Sequence, residues 1–441
     1  MINFRRLDFT FNTVCHRLWC ACCLVLVGLT LSAHAQLNIE IAGVGSRLYP
    51  IAIGSFERDS TGFSESLSAI VRADLARSGR FRLIEAGSTA FAESSVPNLG
   101  VWKDKGASAF VSGSVLALAS GQFEVRFRVF DVNKQSSVGG LSFSFEQTQA
   151  RLAAHKVADA IYEMLLGEPG IFATRLSYVS RQGKRFQLMI SDSDGANPQT
   201  ALSSTEPIIS PAWSPDGRKV AYVSFEQRKP IIYVHDLPTG KRSIASNVKG
   251  NNSAPAWSPD GQFLVLALSR DGNTQIYKAT SDGRNLQRLS VGGAIDTEPQ
   301  FSHDGRFIYF TSDRGGAPQI YRMSAQNGER NEPAERITFR GNYNTSPRIS
   351  PDGKRLAFIT RKNGIFRLVI QDLTTAQVSD VSNTDFDDSP SFAANGQYLL
   401  YATRLNGKSV LVASTIDGQV HHVLSMPAGE VREPAWGPFS K

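Results

Sequence analysis

Hydrophobic residues follow two different periods in the first third of the chain. Residues 123–129 alternate between apolar and polar, which indicates a strand with one face in water. Residues 67–75 instead carry their apolar side chains on one helical face, and a second helix is predicted at about 149–166. Further strands are predicted at 37–41, 48–56 and 80–85, with a loop around Pro97. The mixture predicts a small α/β domain over residues 36–169, and "GEPG" (Gly167–Gly170) predicts a linker.

From residue 170 to residue 441 the pattern repeats. A proline opens each copy at intervals of 43 to 48 residues: Pro211, Pro255, Pro299, Pro347, Pro390 and Pro434. A large apolar residue follows two positions later: Trp213, Trp257, Phe301, Ile349, Phe392 and Trp436. Repeats of about 40–50 residues that contain several strands predict a β-propeller.

Each repeat contains four predicted strands, and the first is offset from the others. The strands that begin at Arg175 have no "PAW" before them, whereas the "PAW" at Pro434 has no strands after it. Pairing the two gives six complete blades and closes the ring, which removes open sheet edges. The predicted fold is therefore an N-terminal α/β domain followed by an all-β six-bladed β-propeller closed by the C-terminal strand.

The first 35 residues have the pattern of a secretory leader. Three arginines precede an apolar run from Leu18 to Leu31, and small residues follow up to Ala35. This predicts a signal peptide at 1–35 that is cleaved after Ala35. The run is shorter than the about 20 residues that a membrane anchor needs, so we expect a protein that does not span a membrane. All four cysteines lie in the leader, and none follows the apolar run, which argues against lipoprotein processing.

The remaining composition gives little sign of catalysis. The net charge of +7 is mild and no Lys/Arg-rich block occurs, so we expect no nucleic-acid partner. No nucleophile elbow or phosphate-binding loop is present, so we predict no catalytic residue, no cofactor and no metal. The histidines outside the leader have no metal-ligand spacing and are predicted to be surface residues: His155, His235, His303, His421 and His422.

Three motifs have both a chemical and a structural interpretation. "SDSDGAN" (Ser191–Asn197) resembles a calcium loop but lacks two of its acidic ligands, so a hairpin turn is favoured. The aspartates of the "PDG"-type turns could act as acids or bases, but a structural role is favoured: Asp216, Asp260, Asp304 and Asp352. The repeated tryptophans could stack on a sugar, but packing between blades is favoured.

The residues just before each repeated proline differ from copy to copy and are expected to face the mouth of the central channel. Candidates for partner contact there are Ser210, Asn251, Asn252, Thr297, Glu298, Thr345, Asp388 and Arg432. The loops between the second and third strands are expected on the same side and carry more basic than acidic residues. A surplus of positive charge would steer an acidic partner.

Several phrases together resemble the TolB family of the Tol-Pal cell-envelope system. They are "VRADLARSGRF" at Val71, "SPAWSPDGRKVAYVSFE" at Ser210, "TEPQFSHDG" at Thr297, "RITF" at Arg336 and the terminal "PAWGPF". The resemblance covers nearly the whole chain after the leader. At residues 249–255 this chain lacks the histidine that some relatives carry, and Asn251 and Asn252 stand there instead.

The resemblance implies a periplasmic, non-enzymatic, monomeric binding scaffold. Its implied partners are the peptidoglycan-associated lipoprotein Pal, at the channel mouth, and the inner-membrane protein TolA, at the N-terminal segment; other outer-membrane proteins are further candidates. The segment residues are Leu37, Asn38, Ile39, Glu40 and Ile41. The implied role is outer-membrane integrity and constriction during cell division. A propeller-type hydrolase and a polysaccharide-binding protein stay open as alternatives.

Overall fold

The computed structural model describes residues 39–41, 48–59, 62–427 and 429–440. The predicted signal peptide, Leu37 and Asn38 lie outside the described residues. The first described element is the short strand β1 (Ile39–Ile41). It pairs antiparallel with a strand near the C-terminus of the chain and belongs to the propeller. The pairing of residues 39–41 thus differs from the prediction that grouped residues 37–41 with the strands of the α/β domain.

A mixed five-stranded sheet with three helices forms the α/β domain. The strands are β2 (Tyr49–Ile53), β3 (Phe81–Ile84), β4 (Ala109–Ala117), β5 (Phe123–Asp131) and β6 (Ser136–Phe145), in the order β3-β2-β4-β5-β6. The helices are α1 (Leu67–Arg77), α2 (Leu99–Asp104) and α3 (Ala150–Leu166), the last preceded by a 3₁₀ turn at Gln147–Gln149. The strand β2 is parallel to both neighbours, whereas β4, β5 and β6 are antiparallel.

Local features define the ends of α1 and α3, and both helices pack on the same face of the sheet. The Ser66 hydroxyl accepts from the Ala69 N–H and caps α1, as expected for an N-cap serine. Gly167 ends α3 with φ of 73°, the left-handed conformation that favours glycine. Leu75 of α1 and Ile161 of α3 are fully buried against the sheet. The helix α2 occupies a position where a loop was predicted, and Trp102 stacks on Phe110 on the opposite face of the sheet.

Six antiparallel blades of four strands form the propeller, as predicted, and β1 adds a fifth strand to the sixth blade. Blades 1 to 3 consist of β7 (Arg175–Gln182), β8 (Arg185–Asp192) and β9 (Gln199–Ser204); β10 (Ile208–Trp213), β11 (Lys219–Ser224), β12 (Ile231–Asp236) and β13 (Arg242–Ser246); and β14 (Asn252–Trp257), β15 (Phe263–Leu268), β16 (Gln275–Thr280) and β17 (Gln287–Arg288).

Blades 4 to 6 follow the same order. They consist of β18 (Asp296–Phe301), β19 (Phe307–Ser312), β20 (Gln319–Ser324) and β21 (Glu335–Arg336); β22 (Asn344–Ile349), β23 (Arg355–Lys362), β24 (Ile365–Asp372) and β25 (Val378–Asp380); and β26 (Asp388–Phe392), β27 (Tyr398–Leu405), β28 (Lys408–Thr415) and β29 (Val420–Val423). The last strand, β30 (Glu430–Trp436), returns to blade 1.

The C-terminal strand closes the ring. It pairs antiparallel with β7, so that Trp436 lies opposite Leu176 and the sheet order becomes β30-β7-β8-β9. The missing first strand of blade 1 is thus supplied from the other end of the chain, which confirms the predicted closure. With the ring closed in this way, the inner strand of each described blade pairs with that blade's second strand.

The repeated tryptophans connect neighbouring blades, which supports the packing interpretation. The indole N–H of Trp213 donates to the Ala435 carbonyl at 3.1 Å, and that of Trp257 donates to the Ala212 carbonyl at 3.0 Å. The turn aspartates are structural as well: the Asp216 carboxylate accepts from the Arg218 N–H at 3.0 Å and from the Ser214 hydroxyl. These hydrogen bonds occupy the indole N–H groups and the turn carboxylates. They therefore support the structural interpretation of both motifs over the chemical one.

Candidate functional site

Each of the six inner strands contains a bulge at the residue before its proline. These residues all have left-handed φ values between 48° and 56°: Ser210, Ala254, Glu298, Ser346, Ser389 and Glu433. The strand register is interrupted at the same place in every blade. A left-handed conformation costs a non-glycine residue roughly 1–2 kcal/mol, so six recurrences mark a feature that the surrounding structure enforces.

At two of the six bulges a glutamate joins one blade to the next. The Glu298 carboxylate in blade 4 accepts from the Ser346 N–H at 2.8 Å and from the Ser346 hydroxyl at 2.7 Å, in blade 5. It also accepts from the Thr311 hydroxyl at 2.8 Å. The Glu433 carboxylate in blade 1 accepts from the Ser210 N–H of blade 2. Both carboxylates therefore brace neighbouring blades, which the sequence did not indicate.

The residue three positions before the repeated proline is buried in every blade: Ile208, Asn252, Asp296, Asn344, Asp387 and Val431. Asn252 is 0% exposed, and its amide bonds Ser246, Val248 and Gly250. Its burial is inconsistent with the predicted direct contact with a partner. Asn251 stays half-buried beside it and donates to the Ser253 hydroxyl at 2.9 Å.

The more accessible residues stand two positions before each proline, between the buried residue and the bulged residue. Thr297, Thr345 and Arg432 are half-buried there, and Asp388 is exposed. These four predicted residues occupy equivalent places in blades 4, 5, 1 and 6, because each stands two residues before its proline. The structure thus places these four predicted residues around one channel mouth, where Asp388 is more exposed than the other three.

The inner mouth is acidic around one arginine. Arg348 follows the proline of blade 5, where other blades have alanine, serine or glutamine. Burial lowers the pKa of the Arg348 guanidinium, against the opposing influence of Glu298, Asp388 and Glu433. Burial raises the pKa of Glu433 to about 7, with Asp388 adding to it, although the bond from Ser210 opposes the change. Although Asp388 is exposed as a residue, partial desolvation of its carboxylate and the nearby Glu298 also raise its pKa. Sequence reasoning missed Arg348, although its departure from the repeat was visible.

A cavity of about 600 Å³ opens beside the mouth between blades 4, 5 and 6. Four predicted residues line it: Thr297, Glu298, Thr345 and Asp388. Aliphatic and aromatic side chains complete the lining, among them Ile295, Tyr343, Phe366 and Phe386. The mouth is therefore lined by apolar and acidic residues on this side. The surplus of basic residues predicted for the loops does not extend to this lining.

The described residues of the predicted N-terminal segment, 39–41, form the fifth strand of blade 6. Ile39, Glu40 and Ile41 lie opposite His422, His421 and Val420 of β29. His421 and His422 are 8% and 5% exposed, so the prediction that they are surface residues is wrong. His155 and His235 are buried as well, and His303 alone among the five is exposed. Burial and the nearby Arg77 lower the pKa of His422 to about 4.

An ion network joins the α/β domain to blade 1. The turn at residues 191–197 is a hairpin turn, as favoured, and its Asp192 and Asp194 carboxylates accept from Arg151 of α3. Arg77 of α1 lies 3.5 Å from Asp194. We call Asp74, Arg77, Arg151, His155, Asp192 and Asp194 the interdomain ion network.

Three members of the network could approach a metal ion together. Asp74, His155 and Asp194 have potential ligand atoms within 4.8 Å of one another. However, Arg77 pairs with Asp74 and Arg151 pairs with Asp194, so the carboxylates already have cationic partners. Because two guanidiniums and the imidazole of His155 already engage these carboxylates, and Glu65 also pairs with Arg151, the arrangement fits an ion network.

The closed six-bladed propeller, its ring of inner-strand bulges and the attached α/β domain define a two-domain β-propeller protein with a partly accessible channel mouth. A family model described as the TolB amino-terminal domain matches residues 37–138, and one described as the TolB beta propeller domain matches residues 162–440. The chain belongs to the TolB family, whose members are periplasmic components of the Tol-Pal system.

One solved structure supports this assignment, and two others are given for comparison. The chain is 39% identical to TolB from Acinetobacter baumannii, with a TM-score of 0.82, covering 92% of this chain and 100% of that one. A putative TolB from Agrobacterium tumefaciens is 17% identical with a TM-score of 0.46, over 60% of this chain and 99% of that one. A chain of a nidogen/laminin complex shares only the fold, at 11% identity and a TM-score of 0.50, over 61% of this chain and 99% of that one. Within the described residues, no helix is long and apolar enough to cross a membrane.

Proposed function

We propose that this protein is a non-enzymatic periplasmic scaffold that binds the peptidoglycan-associated lipoprotein Pal at the channel mouth and TolA through its N-terminal segment. Membership of the TolB family carries the proposal. A closed propeller supports it, because a rigid, preformed surface lowers the entropic cost of binding. By linking the two partners, the protein serves outer-membrane integrity and constriction during division.

The N-terminal segment suits a contact that forms and releases. The strand β1 has three residues and pairs with the outer edge of blade 6. Strand addition at a sheet edge relies on main-chain hydrogen bonds, so a partner can offer the segment an equivalent edge. Removing residues 37–45 is expected to abolish TolA binding while the propeller stays folded, as judged by thermal unfolding. A deletion variant that keeps full TolA affinity would refute this assignment.

A charge reversal at Asp388, the exposed residue of the mouth, tests whether Pal binds there. Asp388→Lys is expected to weaken Pal binding at least about tenfold, as for truncations at interface centres. Asp380→Lys is the matched control, because Asp380 is also exposed but lies on the outer strand β25. Equal affinity of both variants for Pal in calorimetric titration would remove the mouth from the interface.

Capture from an envelope extract separates the remaining candidates. Recovery of Pal and TolA supports the scaffold. Absence of Pal together with turnover of a substrate, or with binding of a polysaccharide, would instead favour the propeller hydrolase or the polysaccharide-binding protein.

A further inference from the structure

Three consecutive loops at the mouth expose large apolar side chains. The loops connect the fourth strand of one blade to the first strand of the next, at residues 289–295, 337–343 and 381–387. Val291, Ile295, Phe339 and Phe386 on them are 52%, 51%, 72% and 56% exposed. We call these three loops the apolar sector.

The other three loops of the same kind differ. In their described parts, residues 205–207, 247–251, 424–427 and 429, no large apolar side chain is exposed. Exposed apolar residues scattered singly are ordinary, but a concentration on one side of a surface marks an interaction site. The mouth is therefore asymmetric, although the blades beneath it are nearly equivalent.

Arginine and aromatic side chains are paired across the apolar sector. The Arg404 guanidinium lies 5.6 Å from the Phe386 ring centre, and that of Arg336 lies 5.3 Å from the Phe339 ring centre. A third pair, Arg361 and Tyr343, is 4.7 Å apart. Aromatic and arginine side chains are the types enriched where interface energy concentrates, and each pair presents an apolar face with a positive edge.

The cavity beside the mouth gives the sector a receptor for a side chain. Its about 600 Å³ are lined by Ile295, Phe366 and Phe386, together with Tyr343. Towards the channel the lining changes to carboxylates, among them Asp388. An occupant therefore meets apolar walls, guanidinium groups on the outer side and carboxylates on the inner side.

We propose that the apolar sector anchors the mouth's protein partner through a large apolar side chain seated in this cavity, with acidic residues flanking it outward and hydrogen-bond donors facing the channel. The proposal rests on the proposed function, which makes Pal the occupant. Charge complementarity selects this chemistry, because a carboxylate aimed at the channel would face Glu298 and Asp388.

Basic side chains around the outer rim have a different task. Lys184, Arg185, Arg228, Lys229 and Lys249 are exposed and form no ion pair within 4 Å among the described residues. Exposed rim charges change association rates and their salt dependence, whereas buried apolar anchors change dissociation rates. The rim therefore steers the partner, and the apolar sector retains it.

Surface plasmon resonance with Pal that lacks its lipid separates these roles. Phe386→Ser is expected to weaken affinity at least about tenfold, mainly through faster dissociation. Ile244→Ser is the matched control, since Ile244 is 45% exposed on β13, outside the mouth, and is expected to stay within about twofold of the original protein. Lys229→Glu is expected to slow association and weaken its salt dependence, whereas Lys241→Glu, in the turn before β13, leaves both unchanged.

The outcomes separate the two proposals. If the unsubstituted protein does not bind Pal, the proposed function fails and this inference fails with it. If the protein binds Pal but Phe386→Ser and Phe339→Ser both stay within about twofold, the inference is overturned and the proposed function survives. Circular dichroism and thermal unfolding check folding, which is expected to be unaffected because both rings are largely exposed.

Discussion

Replacing His155 by glutamine tests whether the interdomain ion network holds the α/β domain to blade 1. His155 is 1% exposed, and its Nδ1 atom lies 2.6 Å from the Asp74 carboxylate. Its Nε2 atom lies 3.8 Å from the Asp192 carboxylate on the propeller side. Glutamine removes the positive charge of the imidazolium but keeps a polar side chain on α3.

The expected loss of stability follows from how tightly the folded protein holds the proton of His155. Burial alone would lower the pKa of His155, but Asp74, Asp192 and Asp194 outweigh it and raise the pKa to about 10. A change from 6.5 to about 10 corresponds to about 5 kcal/mol at about 1.4 kcal/mol for each tenfold change in proton affinity. Removing one partner of a buried ion pair typically costs about 3–5 kcal/mol, so we expect a loss in that range at pH 6.

The sign of the pH dependence is fixed by the raised pKa. The folded state holds the His155 proton more tightly than the unfolded state, so the stabilisation is complete below pH 6.5 and is lost as the pH rises towards 10. The stability of the original protein therefore falls between those limits by up to about 1.4 kcal/mol per pH unit from this group, and that part of the slope disappears in the variant.

Urea unfolding between pH 6 and 9, followed by hydrogen exchange of α1 and α3, measures this loss. Lys156→Gln is the matched control, because it removes an exposed cation from the neighbouring position of the same helix. Equal stability and equal pH slopes for His155→Gln and Lys156→Gln would refute the reasoning.

Three further substitutions test individual contacts of the fold. Trp257→Phe removes the bond to the Ala212 carbonyl between blades 2 and 3 and is expected to lower the free energy of unfolding by about 1 kcal/mol, measured by urea titration. Gly170→Ala would place a Cβ atom 2.6 Å from the Asp159 Cα atom and closer still to its carboxylate, so a marked fall in melting temperature is expected. Glu433→Gln is expected to flatten the decline in stability between pH 4.5 and 7, since burial raises the pKa of that carboxyl to about 7. An unchanged pH profile would show that Glu433 does not titrate there.

The repeat could be recognised from sequence because each blade is a local unit. Proline, aspartate and glycine fix the same turn after each inner strand, and a large apolar residue marks each inner strand. The closure of the ring followed from the count of strands alone. The helix α2 was missed although Asn98 precedes it and accepts from the Gly100 N–H at 3.1 Å, because six residues are too few for a clear period.

Contacts between distant parts of the chain could not be predicted. His155 and Asp74 are 81 residues apart, and Glu298 and Ser346 are 48 apart. The composition of residues 37–41 indicated a strand but contained nothing about the edge it would join. Burial of the histidines likewise depends on packing partners from other elements, so residue type alone favoured the surface.

The mouth owes its character to departures from the repeat. Equivalent backbone positions surround the channel six times, yet only two of the bulged residues are glutamates, and both are occupied in bracing blades. A residue at the bulge is thus more constrained by its neighbouring blade than by a partner, whereas the residue before it is accessible and free to vary. Arg348, Asp388 and the apolar sector all lie in blades 4 to 6 or in the loops that lead into these three blades. The surface that distinguishes one partner from another is therefore concentrated in one half of a ring whose framework is shared by all six blades.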